Sequence, residues 1–123
     1  MAQPYDILYV DDEQDNLLAF KAVFRRTFNV HTALSAKEAI ELLKEQSIDL
    51  ILSDQRMPQM TGIEFFEHIM DDYPNIVRMV VTGYSEMDVI TNALDKGNIA
   101  HYLTKPWDVD ELKDVISHAL EAA

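Results

Sequence analysis

Five polar residues stand where apolar runs end. Asp11 and Asp12 follow Ile7-Leu8-Tyr9-Val10. Asp54 follows Leu50-Ile51-Leu52-Ser53, Thr82 follows the run ending in Val80-Val81, and Lys105 follows Tyr102-Leu103-Thr104. On parallel strands, such endings bring three carboxylates, a hydroxyl and an ammonium to one sheet edge. Crowded carboxylates repel and raise at least one pKa unless a cation intervenes. Hard oxygens in a chain without cysteine favour Mg²⁺, which keeps waters and completes its shell with phosphate oxygens. A lysine is a point-charge phosphate binder, and a threonine hydroxyl can donate one hydrogen bond. An aspartate beside a cation and a lysine is equipped to accept a phosphoryl group, since aspartyl phosphates are known covalent intermediates. Such a site works by positioning and charge neutralisation.

Taken singly, each residue has an ordinary reading. Asp11 or Asp12 caps the first helix. Asp54 caps a turn. Thr82 is a strand-end hydroxyl, and Lys105 is a solvated surface lysine. Their joint arrival at four strand ends is what favours a site. The four histidines, His31, His68, His101 and His118, lack metal-ligand spacing and read as surface or strand residues. The methionines read as core filler. Trp107 reads as a packing residue.

The elements that must position these groups follow from periodicity. Asp6 to Val10 is the first strand. From Gln14 the period becomes helical, with Leu17, Phe20, Phe24 and Phe28 on one face and Lys21, Arg25 and Arg26 free to face water. Residues 29–34 form a second, weaker strand. Ser35-Ala36-Lys37-Glu38 is a capping-box pattern opening a helix with Ala36, Ala39, Ile40 and Leu43 inward. The strand ending in Asp54 is third, and Pro58 keeps it from running on. Thr61-Gly62-Ile63-Glu64 repeats the capping-box pattern before Phe65, Phe66, Ile69 and Met70. Residues 76–81 form the fourth strand. A helix from Ser85-Glu86-Met87-Asp88 ends at Gly97, a C′ glycine. Residues 100–103 form a short fifth strand, and Asp108-Val109-Asp110-Glu111 opens a last helix with Leu112, Val115, Ile116, Ala119 and Leu120 on one stripe. Strands alternating with helices through short loops give a parallel sheet with helices on both faces.

The chain has 123 residues and 48% hydrophobic content, enough for one core. One domain over residues 1–123 is expected. A formal net charge of −12 argues against nucleic acid and anionic membranes as partners, because both attract excess Lys and Arg. The first residues carry no basic and apolar leader pattern, and no apolar run approaches the roughly 18 residues of a membrane span. A soluble cytoplasmic domain is expected.

These residues in order resemble the response-regulator receiver domain of bacterial two-component signalling. The resemblance rests on Asp11-Asp12, Ser53-Asp54-Gln55-Arg56-Met57-Pro58 with Gly62, Thr82-Gly83, and Lys105-Pro106, and it covers nearly the whole chain. It implies a flavodoxin-like α/β fold: a five-stranded parallel sheet of order 2-1-3-4-5 with five helices. It implies that Asp54 is phosphorylated by a histidine kinase or phosphotransfer protein. Mg²⁺ would be held by Asp11, Asp12, Asp54 and the backbone carbonyl of Arg56, with Thr82 and Lys105 on the phosphoryl group. Thr82 and Tyr102 would be the switch residues, acting on the surface of the fourth helix, fifth strand and fifth helix. That surface would control an attached output domain or a partner, or pair with a second copy in a homodimer. The family also implies a cis peptide before Pro106. Gly83 stands where alanine is common, and Arg56 and Tyr84 occupy positions that tune how fast the phosphoryl group is hydrolysed. The wording around Asp54 and Trp107 is similar to receivers joined to cyclic-dinucleotide phosphodiesterase domains or transcription activators.

Two other classes compete. A phosphatase of the haloacid-dehalogenase type also uses an aspartate and Mg²⁺, but needs Asp-x-Asp. Here Glu13 lies two past Asp11 and Gln14 two past Asp12, so the pattern fails. A receiver-like interaction domain that is never phosphorylated is the other, and the complete set of acids, Thr82 and Lys105 speaks against it.

Overall fold

The computed structural model describes residues 4–83 and 87–122. Strands β1 (Asp6–Val10), β2 (Asn29–Ala33), β3 (Leu50–Asp54), β4 (Val77–Thr82) and β5 (His101–Thr104) alternate with helices α1 (Gln14–Phe24), α2 (Ala36–Glu45), α3 (Gly62–Ile69), α4 (Met87–Asp95) and α5 (Val109–Ala122). The strands form one sheet in the order β2-β1-β3-β4-β5, and every pairing is parallel. The expected fold and strand order are therefore observed.

The inner strands β1, β3 and β4 are largely apolar on both faces because helices cover both, whereas the edge strands β2 and β5 carry polar, partly exposed residues. Leu8, Val10, Ile51 and Val80 face α2, α3 and α4. Ile7, Tyr9, Leu50, Leu52, Met79 and Val81 face α1 and α5. All of β3 is buried, as befits a strand paired on both edges. Phe20 and Phe24 of α1 fill the second layer, and Trp107 packs against both with ring centroids 6.3 and 6.2 Å away. Its reading as a packing residue holds.

The local punctuation follows the sequence. Thr61 and Glu64 form the complete capping box of α3. At α2, Ser35 accepts from the Glu38 amide. Gly97 closes the segment after α4 with φ +78°, a conformation that costs a side-chain-bearing residue about 1–2 kcal/mol. The expected start of the fourth helix at Ser85 lies outside the described residues.

Candidate phosphoryl and cation site

The carboxyl ends of β1, β3, β4 and β5 share one edge, and the chemistry collects there. Asp11, Asp12 and Asp54 each offer a carboxylate oxygen, and these lie within 4.8 Å of one another. Asp54 emerges from the centre of the sheet and is only 7% exposed. Lys105 Nζ sits 3.2 Å from Asp54 Oδ2 and 3.8 Å from Asp11 Oδ2. It arrives on the loop between β5 and α5, where the Lys105–Pro106 peptide is cis. The Lys105 amide donates to the Thr82 carbonyl, which ties that loop to the end of β4. Thr82 is buried at the same edge. Arg56 is exposed in the loop after β3, and Tyr102 lies on β5, 37% exposed. Tyr84 lies outside the described residues.

Neither Asp11 nor Asp12 caps α1 in the ordinary way. The N-cap is Glu13, which makes no side-chain capping bond. Asp11 instead lies fully buried, accepting from the Glu13 amide at Oδ1 and from Tyr9 and Asn16 at Oδ2. Asp12 is exposed and free to turn toward its neighbours.

Burial is the largest influence on Asp54 and pushes its carboxyl above the ordinary value. The Lys105 ammonium pulls it down, and the charges of Asp11 and Asp12 add to the push. Folded Asp54 thus holds its proton to higher pH than the unfolded chain does. The stability that this proton contributes is complete below the unfolded value of 3.8 and is lost as pH rises through the folded value. At neutral pH and without a divalent cation, the folded chain carries a desolvated charge. Asp54→Asn removes that charge. Its melting temperature should exceed wild type at pH 7. The gap should close as pH falls below 3.8. Thermal melts in chelator across pH check this, and an equal gap at every pH would contradict it.

The loop that follows Asp54 is clamped at its root. Gln55 is buried, and its three polar contacts point three ways. Its amide donates to the Val81 carbonyl, its carbonyl accepts from the Gly62 amide, and its Oε1 accepts from the Ile63 amide at 2.9 Å. Arg56 therefore leaves a fixed point. Gly62 in turn packs on β3: a Cβ there would lie 2.7 Å from the Asp54 carbonyl oxygen.

Sequence reasoning missed Tyr9, Asn16 and Gln55. Tyr9 carried a usable signal. It is the one polar-tipped residue in an aliphatic run, two positions before Asp11 and so on the same strand face. Burial, then Asp11, hold its phenol far above the usual range, so it remains a hydroxyl and donates. Gln55 carried no signal beyond its place next to Asp54.

The donor set fits a hard divalent cation: oxygen ligands only, three carboxylates in reach of one ion, and one ammonium beside them. The family model for the response regulator receiver domain matches residues 7–117. The chain belongs to that family. Receivers are signalling domains of two-component systems, and this receiver carries phosphoacceptor signalling of that kind. The phosphatase reading has no support. Sporulation initiation phosphotransferase F of Bacillus subtilis is 30% identical over 115 residues, covering 93% of this chain and 92% of that one. The hydrogenase transcriptional regulatory protein HoxA of Cupriavidus necator is 40% identical over 116 residues, covering 94% of this chain. The receiver spans only 24% of the length of that regulator. Among solved structures, the signal receiver domain of an HD domain-containing protein from Pseudomonas fluorescens superposes with a TM-score of 0.90 at 32% identity, covering 99% of this chain and 90% of that one. No helix among the described residues is long and apolar enough to cross a membrane.

Proposed function

We propose that this receiver, residues 1–123 acting as one unit, takes a phosphoryl group on Asp54 from a histidine kinase or phosphotransfer protein. The observation that carries the reading is Lys105 Nζ bridging Asp54 and Asp11 beside a three-carboxylate cluster. One Asp54 oxygen attacks the donor phosphorus. The new O–P bond forms as the P–N bond of a phosphohistidine breaks, and the imidazole, already protonated on its other ring nitrogen, leaves neutral. Lys105 neutralises phosphoryl oxygens, and the Thr82 hydroxyl donates to one of them. Asp11, Asp12, Asp54 and the Arg56 carbonyl would hold Mg²⁺. When bound, Mg²⁺ supplies the positive charge that lets the carboxylates and phosphoryl oxygens share the crevice. Water later returns Asp54 to a carboxylate by attack at phosphorus, at a rate tuned from Arg56 and Tyr84. The unit is not a turnover enzyme on its own.

Phosphorylation adds roughly −1.5 to −2 charges at Asp54. Thr82 and Tyr102 lie on one face of the sheet, since Val80 pairs with Tyr102 and Thr82 with Thr104. Movement of the Thr82 hydroxyl toward the new oxygens opens space into which the exposed Tyr102 ring turns. The surface of α4, β5 and α5 changes, and whatever prefers the changed surface shifts the population toward it. That occupant is an output domain, a partner protein or a second copy in a homodimer. Relatives such as HoxA are transcriptional regulators by name, which favours an output of that class. The charge of −12 keeps this unit itself off nucleic acid and anionic membrane, and the cytoplasm is its compartment.

Incubation with a small-molecule phosphodonor and Mg²⁺ should add one phosphoryl group by intact mass, and chelator should prevent it. No uptake would return the chain to a non-phosphorylated interaction domain. Uptake unaffected by chelator would remove the cation from the account.

A further inference from the structure

Asp11 is held more tightly than a metal ligand alone requires. A carboxylate oxygen has two lone-pair sites. At Oδ2 both are taken, by the Tyr9 hydroxyl at 2.8 Å and Asn16 Nδ2 at 3.1 Å, and Lys105 Nζ lies 3.8 Å from the same oxygen. At Oδ1 one is taken, by the Glu13 amide at 2.9 Å. A single lone pair, on Oδ1, stays available. Tyr9 is itself fully buried and packed at a tilt of 37° against Phe20 with ring centroids 4.6 Å apart, so its hydroxyl has little room to move.

We propose that Tyr9 is a positioning residue that restricts Asp11 to one-oxygen coordination and thereby favours Mg²⁺ over Ca²⁺. The inference rests on the reading of Asp11 as a cation ligand. Mg²⁺ demands near-octahedral geometry with short bonds, whereas Ca²⁺ accepts six to eight oxygens and takes carboxylates with both oxygens. A carboxylate with Oδ2 occupied suits the first ion and denies the second its bidentate mode. Groups that orient a ligand from behind typically change metal affinity by about 10–100-fold when removed. The only tryptophan, Trp107, lines the same cavity of about 480 Å³ as Tyr9, Asn16 and Lys105, so its fluorescence can follow cation binding.

The test is titration of wild type, Tyr9→Phe and Phe20→Leu with Mg²⁺ and with Ca²⁺, by calorimetry and by Trp107 fluorescence. Tyr9→Phe removes one oxygen and keeps the ring. Its ratio of Mg²⁺ to Ca²⁺ affinity should fall by about tenfold or more. Phe20→Leu loosens the same aromatic cluster and should leave the ratio unchanged. Asn16→Ala frees the same oxygen from a half-exposed position and should move the ratio in the direction of Tyr9→Phe, which keeps the test open if Tyr9→Phe folds poorly. A ratio within twofold of wild type in both Tyr9→Phe and Asn16→Ala overturns the proposal. So does an equal weakening of both cations, or a Phe20→Leu ratio that falls as far. Failure of wild type to bind either cation overturns the cation-site reading, and this inference with it.

Discussion

Asp54→Ala should take up no phosphoryl group under conditions in which wild type takes up one. Three acids share the crevice, and their surroundings separate their roles. Asp11 is buried and has three donors on its two oxygens, so its lone pairs are largely committed. Asp12 is exposed and lacks the lysine contact of its neighbours. Asp54 alone combines burial, a central place on the sheet edge and an ammonium at 3.2 Å. The ammonium lies against the Asp54 carboxylate, and positioned charge is the main resource of such sites. Asp12→Ala should retain Asp54 as acceptor but slow uptake at a given Mg²⁺ concentration. Intact-mass time courses with a small phosphodonor check both variants. Equal labelling of Asp54→Ala and wild type would sink the assignment.

Gly62→Ala should destabilise the receiver by about 1–3 kcal/mol. Two effects oppose each other here. Gly62 opens α3, and alanine is the better helix former by up to about 1 kcal/mol. Against that, the added Cβ would meet the Asp54 carbonyl oxygen at 2.7 Å and Ser53 Oγ at 3.1 Å. The carbonyl belongs to β3, which is paired with β1 and β4 and cannot give way cheaply. Steric cost therefore wins, and the melting temperature should fall by roughly 3–6 °C for each kcal/mol. The displaced backbone is that of Asp54, the proposed acceptor, so the phosphorylation rate should fall as well. A variant melting at or above wild type would show that β3 has slack at Asp54.

Most of the fold was legible because its signals are local. The strand endings at Val10 and Asp54, the stripe from Leu112 to Leu120 and the Thr61–Glu64 box can be read within a few residues of sequence. Boundaries moved: α1 ends at Phe24, so Phe28 packs from the turn before β2 rather than from the helix, the fourth strand starts at Val77 and includes Thr82, and the fifth runs from His101 to Thr104. The site's acids and lysine were legible because parallel strands fix which ends meet. What supports them was not. Asn16 reaches Asp11 only because of how α1 leaves the β1 loop, and Gln55 meets Ile63 only once α3 has folded back on β3. Arg78 reads as a charge interrupting an apolar strand. In the fold its guanidinium donates to the carbonyls of Ile76, Gly97 and Asn98, and burial lowers its pKa from the usual arginine value. Periodicity cannot say that the chain after α4 passes over β4 there.

The central claim is that the phosphoryl group resides on Asp54. Borohydride reduces an acyl phosphate of aspartate to homoserine while leaving a free carboxylate untouched. The receiver should be loaded with phosphodonor and Mg²⁺, reduced, digested and mapped by mass spectrometry. The account predicts homoserine at position 54 and unchanged aspartate at positions 11 and 12. Homoserine at position 11 or 12, or phosphate on a hydroxyl such as Thr82, would contradict it.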